Sequence, residues 1–222
     1  VKLVLATHNR DKTREIADML AGLDVEVVTL TDFPDFPPTA EDGDTLHANA
    51  IKKAREARAH TGLSALADDT GLEVDALGGG PGVYSARFAG ERATYADNCR
   101  KLLREMAEVP AGARAARFRT VMVLALALHD AARVNTEFCR PTGPARPLDH
   151  LLSEGILPGE IATERRGTSG FGYDPVFIDA ASGRTLAEMT LAEKNRTSHR
   201  YRALIEMREL MLRLELVRET RP

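Results

Sequence analysis

The sequence has no tryptophan and only two cysteines, Cys99 and Cys139. Two isolated thiols build neither a disulfide framework nor a metal-spaced cluster, so both read as small apolar fillers. Long hydrophobic runs are missing too. The longest, Val121 to Leu128 (VMVLALAL), is far below the roughly 18 residues that span a bilayer; it suits a buried strand, and no membrane partner is expected. The opening VKLVLATHN lacks the charged n-region and long apolar h-region of a signal peptide, and the expectation is a cytoplasmic protein. Charge of one sign is equally scarce, with 30 Lys and Arg against 33 Asp and Glu for a net charge of −3. A phosphate polymer selects a strongly basic face, so no nucleic-acid polymer is expected as partner. A mononucleotide needs only a few placed cations and stays open. The histidines show no HExxH-type spacing, which argues against zinc, and the absence of GxxxxGK[ST] excludes a Walker loop. No internal repeat or low-complexity tract is present.

What is present is a chain of 222 residues with 43% hydrophobic content, enough for one large domain or two closely joined lobes. Val1 to Ala6 reads as a strand, Lys12 to Leu20 as a helix with Ile16, Met19 and Leu20 on one face, and Val25 to Leu30 as a second strand. Phe33 to Asp44 is a loop rich in Pro, Asp and Gly. Thr45 to His60 reads as a helix capped by Asp44 or Thr45. Ser64 to Ala67 leads into ADDTG, which reads as a turn, and Gly78 to Gly82 is a second sharp turn. Ala96 to Met106 is a helix and Arg117 to Leu128 a long strand, with Val134 to Cys139 expected to pair back on it as a hairpin. Arg140 to His150 (RPTGPARPLDH) is expected to be a surface loop. Gly155 to Thr163 and Pro175 to Ile178 read as strands. Ser198 to about Arg218 reads as one long amphipathic helix, with Ser198 as its cap and Leu204, Met207, Met211 and Leu214 in step. The mixture gives an α/β class.

Four short stretches can carry chemistry. Thr7 to Lys12 (THNRDK) joins a strand to a helix, where free N–H groups and the helix dipole attract phosphate and Lys12 adds a point charge; an ordinary capped loop is the competing reading. Asp68 and Asp69 place two carboxylates at a strand end, able to bind Mg²⁺ or accept a proton from water, with Glu41 of the loop AEDGDT as a further oxygen ligand. Plain turn chemistry is the alternative there. Gly170 to Pro175 (GFGYDP) sets Phe171 between glycines, a flat face for a base, or simply a core phenylalanine in a turn. Lys194, His199 and Arg200 gather just before a helix, able to donate to phosphate or to a base keto oxygen, or to serve as capping and surface cations. Arg114, Arg117 and Arg119 read as a polar approach to a strand.

Together these pieces resemble the inosine/xanthosine triphosphate pyrophosphatase family, also called HAM1-like. LATHNRDKTREI is similar to its opening phosphate loop and EDGDTLHANAIKKA to its acidic loop and following helix. ALADDTGLEVDALGGGPGVYSARFAG is the most specific block, and GTSGFGYDPVF and AEKNRTSHRYRAL complete the order. The likeness runs through nearly the whole chain. It implies Mg²⁺-dependent hydrolysis of ITP, dITP, XTP or dXTP between the α and β phosphates, on a long curved mixed β-sheet with two α/β lobes around a central cleft. Residues 1–222 would form this single domain, usually as a homodimer, with Arg140 to His150 as a surface-loop insertion.

The resemblance also implies roles. Thr7, His8, Asn9, Arg10, Asp11 and Lys12 match the triphosphate-binding segment. Asp69 matches the proton acceptor and metal ligand, with Asp68 beside it and Glu41 near the metal. Lys53 matches the lysine facing the phosphates, and Thr70 a substrate contact. Phe171, Gly172, Tyr173 and Asp174 match the base-binding turn, and Lys194, His199 and Arg200 the base and phosphate contacts. The chain departs from the pattern at Ala48, where many members carry Glu, at Leu46 in place of a common Phe, and at His8 where Gly is frequent. None of these removes a carboxylate, Lys12 or the FGYD turn. Two rivals remain. An aspartyl-phosphate phosphatase would need DxDxT, which is absent. A non-catalytic nucleotide-binding or sensor module would tolerate loss of Asp69.

Overall fold

The computed structural model describes residues 1–138 and 147–220. Its seven strands form one mixed sheet in the order β2-β1-β3-β5-β6-β7, with β4 against β3. They are β1 (Lys2–Leu5), β2 (Glu26–Thr29), β3 (Ser64–Val74), β4 (Pro81–Gly82), β5 (Ala115–Ala125), β6 (His150–Ile161) and β7 (Phe177–Asp179). The helices are α1 (Arg10–Leu20), α2 (Leu46–Thr61), α3 (Tyr95–Glu105), α4 (Leu128–Glu137), α5 (Leu191–Thr197) and α6 (His199–Arg213). The α/β class expected from the pattern is the class observed.

The chain divides into two compact units. The first comprises Val1–Asp69, Val121–Glu154 and Ala203–Pro222; the second comprises Thr70–Thr120 and Gly155–Arg202. In the first, β1 pairs in parallel with both β2 and β3. Its core joins Leu3, Leu5, Ile16, Leu66, Met122, Leu124, Leu204, Met207 and Met211. The helical spacing of Leu204, Met207 and Met211 on α6 explains why that face is buried. The second unit has its own core, including Leu72, Leu102, Met106, Phe118, Val176 and Phe177. Arg114 is buried there, and its guanidinium donates to the carbonyls of Met106, Val109, Ile161 and Ala162. Arg117 and Arg119 both reach Glu73.

Three expectations are corrected. ADDTG is no turn: β3 runs straight through it from Ser64 to Val74. The Thr-Gly pair signals a turn in sequence, but Gly71 sits in the strand because another backbone passes over it. A Cβ on Gly71 would stand 2.8 Å from the carbonyl oxygen of Gly82, where β4 pairs with β3, and a glycine inside a strand marks such close approach. Gly71→Ala is therefore expected to destabilise the protein by about 1–3 kcal/mol through overpacking, read as a lowered denaturation midpoint.

Val134 to Glu137 is not a strand but the end of α4; Cys139 lies outside the described residues. The β-branched local composition is overridden by tertiary contacts. Val134 is fully buried in the first core. Asn135 bonds the backbone of Leu148 in both directions, at 2.8 Å each, and the Ser64 hydroxyl links Asp130 to the backbone of Ala127 at the helix start. Most of the expected loop Arg140 to His150 also lies outside the described residues, and His150 opens β6.

The single helix expected from Ser198 ends at Arg213 and is preceded by a separate short helix, α5. Ser198 stands extended between the two, and its hydroxyl accepts the Tyr201 N–H at 3.1 Å, the capping role expected of it. After α6 the chain turns with Glu215 at φ 52°, and Leu216 and Val217 return to the core.

Candidate active site

Three separate sequence blocks meet at Asp68 and Asp69 in the first unit. Adjacent residues on an extended strand point to opposite faces, and the two carboxylates accordingly find different partners. Asp68 faces α1, where Lys12 Nζ lies 3.1 Å from its Oδ2. Asp69 faces α2, where Lys53 Nζ lies 2.7 Å from its Oδ1. The same ammonium is 3.0 Å from Glu41 Oε1. Glu41 and Asp69, far apart in sequence, thus converge on one cation. The side chains of Asp68, Asp69 and Lys53 are nearly withdrawn from solvent, at 0%, 8% and 9% exposure.

Burial sets the electrostatics. It raises the Asp69 carboxyl above its ordinary value, against the downward pull of Lys53 and Lys12. Burial also works against the charge of Lys53, yet Asp69, Glu41 and Asp68 together hold its ammonium above the ordinary value. Lys53→Met removes the cation from two carboxylates. The expected loss is about 3–5 kcal/mol of stability at neutral pH, the usual cost of stranding a buried charge. The sign follows from Asp69. Its folded pKa lies above the unfolded one, so protonation favours the folded state, and the loss shrinks as pH falls through the folded value. Denaturant melts of both proteins at pH 7 and near pH 4 measure it.

The loop at Thr7 to Lys12 differs from the expectation in one respect. The N–H groups thought to be open to phosphate are largely taken. Asn9 caps α1, accepting from Asp11 and Lys12 at 2.9 and 3.2 Å. Thr7 accepts from the Asn9 N–H at 3.1 Å, and the Thr13 N–H bonds the Asn9 carbonyl. What the loop leaves over is side chains, of which Lys12 is held by Asp68 at 3.1 Å. His8 and Arg10 are exposed, and Asp11 lies 3.5 Å from Arg14.

A second cluster belongs to the second unit. Asp174 organises the GFGYD turn. Its Oδ2 accepts from the Phe171 N–H at 2.9 Å and from Lys194 Nζ at 2.6 Å. Gly170, at φ 73°, has no room for a side chain: a Cβ would stand 2.1 Å from that same oxygen. Lys194 Nζ lies 4.5 Å and the Arg200 guanidinium 5.7 Å from the centre of the Phe171 ring. Arg200, almost fully buried, also donates to the Thr70 hydroxyl at 3.3 Å. His199 is buried with its ring stacked on Phe118, centroids 4.5 Å apart. Tyr173 is buried, its hydroxyl donating to the Ser85 carbonyl at 2.8 Å. The Gly172 carbonyl accepts from the thiol of Cys99, which burial pushes up to about 11, as befits an inert filler.

Two residues with positions in these clusters were not singled out from sequence. Asn49 bonds Gly43 at 2.8 Å and approaches Asp69 Oδ2 at 3.4 Å. Its place four residues before Lys53 puts both on one face of α2, a signal available in the NAIKK spacing. Thr120 is buried and shares a 2.8 Å hydroxyl contact with Thr70; nothing local in the sequence marks it.

The fold is a mixed α/β sheet whose third strand carries a buried carboxylate pair matched by two lysines. A profile described as the Ham1 family matches residues 3–210, and the chain belongs to that family. It is 47% identical over 208 residues to a protein of Geobacter sulfurreducens named dITP/XTP pyrophosphatase, covering 94% of this chain and 95% of that one. A protein of the same name from Desulforamulus reducens is 43% identical over 219 residues, covering 99% of this chain and all of the relative (100%). Among solved structures, a HAM1 protein from Coxiella burnetii superposes with a TM-score of 0.80 at 38% identity, covering 96% of this chain and 99% of that one.

Proposed function

We propose that this protein hydrolyses the non-standard purine nucleoside triphosphates ITP, dITP, XTP and dXTP between the α and β phosphates, releasing the monophosphate and pyrophosphate. Relatives named dITP/XTP pyrophosphatase over almost the whole chain support the substrate class. The observation that carries the chemistry is the convergence of Lys12, Glu41 and Lys53 on the buried pair Asp68 and Asp69.

The donor set suits a hard divalent cation. Glu41 and Asp69 already share one cation, the Lys53 ammonium, and both offer oxygen only. Among the described residues no group of three or more His, Cys, Asp or Glu gathers to hold a metal. Mg²⁺ needs no such cage, since it binds through one or two carboxylates and completes its shell with water and phosphate oxygens. Asp69 and Glu41 would hold it, and when bound it supplies Lewis-acid neutralisation of phosphate charge.

The chain's own groups do the rest. Asp69, made more basic by burial, orients and deprotonates the attacking water. Asp68 holds Lys12, which neutralises charge on the departing pyrophosphate. Lys53 fixes Asp69 between α2 and the Glu41 loop. Thr7, His8, Asn9, Arg10 and Asp11 form the segment along the triphosphate, and Thr70 touches the substrate beside Asp69. Phe171 offers its face to the base, in the turn shaped by Gly172, Tyr173 and Asp174. Lys194, His199 and Arg200 serve as base and phosphate contacts, with Lys194, His199 or Arg200 donating to the 6-keto oxygen. In the same reading residues 1–222 act as one domain whose two compact units are its lobes, working as a cytoplasmic homodimer. Among the described residues no helix is long and apolar enough to cross a membrane.

The test is an assay of purified protein on inosine, xanthosine, guanosine and adenosine triphosphates, with and without Mg²⁺, quantifying monophosphate, pyrophosphate and phosphate. Pyrophosphate from the inosine and xanthosine substrates, lost on chelation, is the expected result. Inorganic phosphate as the product would move the cleavage point and overturn the assignment. Sedimentation of the same preparation reads the dimer.

A further inference from the structure

In the second unit, α3 and the turn before it line a cavity of about 570 Å³. Its lining includes Gly90, Arg92, Asp97, Arg100, Lys101 and Arg104. That is four cations against one carboxylate, in a chain whose net charge is −3. None of these residues belongs to the candidate active site.

The concentration of positive charge follows from helix geometry. Arg100 and Arg104 are four apart and Lys101 and Arg104 three apart, so all three share one face of α3. Arg92 arrives from the turn closed by the Ala93 N–H on the Gly90 carbonyl at 3.0 Å. Like charges at this spacing destabilise a helix unless something neutralises them. The protein does so only in part. Arg100 pairs with Asp97, a carboxylate already engaged by Thr94 in the cap of α3. Lys101 donates to the Phe88 carbonyl at 2.7 Å and lies 3.7 Å from Glu105. Arg92 and Arg104 are exposed and form no ion pair among the described residues.

The chemistry of a fitting ligand is narrow. A cavity of this volume is of small-molecule size. Guanidinium forks match phosphate oxygens in geometry as well as charge. Four cations match a chain of phosphates better than a single one. A nucleic-acid strand would need a basic track along its length, whereas these charges are confined to one concavity. We propose that the cavity is a second anion site, which binds a small polyphosphate, either free or as the tail of a nucleoside triphosphate.

Calorimetric titration with tripolyphosphate in metal-free buffer tests this on the full chain, on Lys12→Ala and on the double variant Arg92→Ala/Arg104→Ala. Binding at the cavity should persist in Lys12→Ala and weaken at least about 10-fold in the double variant, which loses two charge-assisted contacts. Both substitutions are at exposed positions, and Arg92→Gln/Arg104→Gln gives the same readout should the alanine variant fold poorly. An α,β-methylene analogue of adenosine triphosphate forms the second arm. Tighter binding than tripolyphosphate identifies a nucleotide as the source, and equal binding identifies the phosphate chain itself. Tripolyphosphate affinity and stoichiometry unchanged in the double variant would overturn the proposal. So would a short single-stranded oligonucleotide that binds through Arg92 and Arg104 where tripolyphosphate does not. Failure of the Lys12 assignment would appear separately, as unchanged turnover of inosine triphosphate by the Lys12→Ala protein.

Discussion

Replacing Asp69 with asparagine is expected to lower kcat by about 10³-fold or more, the scale of losing a positioned base together with its charge. Three features concentrate the effect here. Asp69 is the carboxylate on which Lys53, Asn49 and, through Lys53, Glu41 all bear. It is buried, so its charge acts in a medium that screens little. Its basicity is raised by that burial. Asparagine keeps the shape and one acceptor oxygen but neither accepts a proton nor binds a cation as a carboxylate does. The fold should survive. A carboxyl whose folded pKa is raised favours the folded state below its unfolded pKa and loses that contribution as pH rises through the folded value. At neutral pH the buried charge is therefore a cost that asparagine removes, while Lys53 keeps Glu41. The expected pair of results is a kcat near background and a thermal midpoint at pH 7 no lower than that of the parent. Near-normal kcat would remove Asp69 from the chemistry.

The second large effect is on selectivity. Arg200→Ala should reduce the preference for inosine over adenosine triphosphate, in kcat/KM, by about 5–150-fold, the value of about 1–3 kcal/mol for a buried donor left with or without its acceptor. Adenine presents an amino donor where hypoxanthine presents a keto acceptor, so the donors facing it would go unpaired. Arg200 is buried, lies 5.7 Å from the centre of the Phe171 ring and bonds Thr70, and the proposed function gives it this contact. Comparison of both substrates on parent and variant decides the matter. Equal losses on the two would show that Arg200 holds structure or phosphate rather than reading the base.

Much of this was legible without coordinates because the signals are local. The cap of α2 at Thr45, the apolar stripe of α6 and the cap at Ser198 are set by residues within one or two turns of each other. The elements that went unread are those where distant contacts overrule local preference. Gly71 looks like a turn until β4 is laid against it. The segment at Val134 looks like a strand until Leu148 and Ser64 secure it as helix. The Thr7 to Lys12 loop looks open to phosphate until Asn9 is seen to occupy its amides.

The candidate site divides in the same way. Sequence alone determined which residue types are available: two adjacent carboxylates, an acidic loop, two lysines at helix positions and a glycine-flanked phenylalanine. It also established that the chain is a mixed α/β protein without a Walker loop or zinc spacing. Only the tertiary structure decided that Glu41 and Asp69 share the Lys53 ammonium while Asp68 turns to Lys12. It likewise decided that Lys194 is held by Asp174. The reason is geometric. Pleating sends neighbouring side chains of a strand to opposite faces, and which helix waits on each face depends on connections made dozens of residues away.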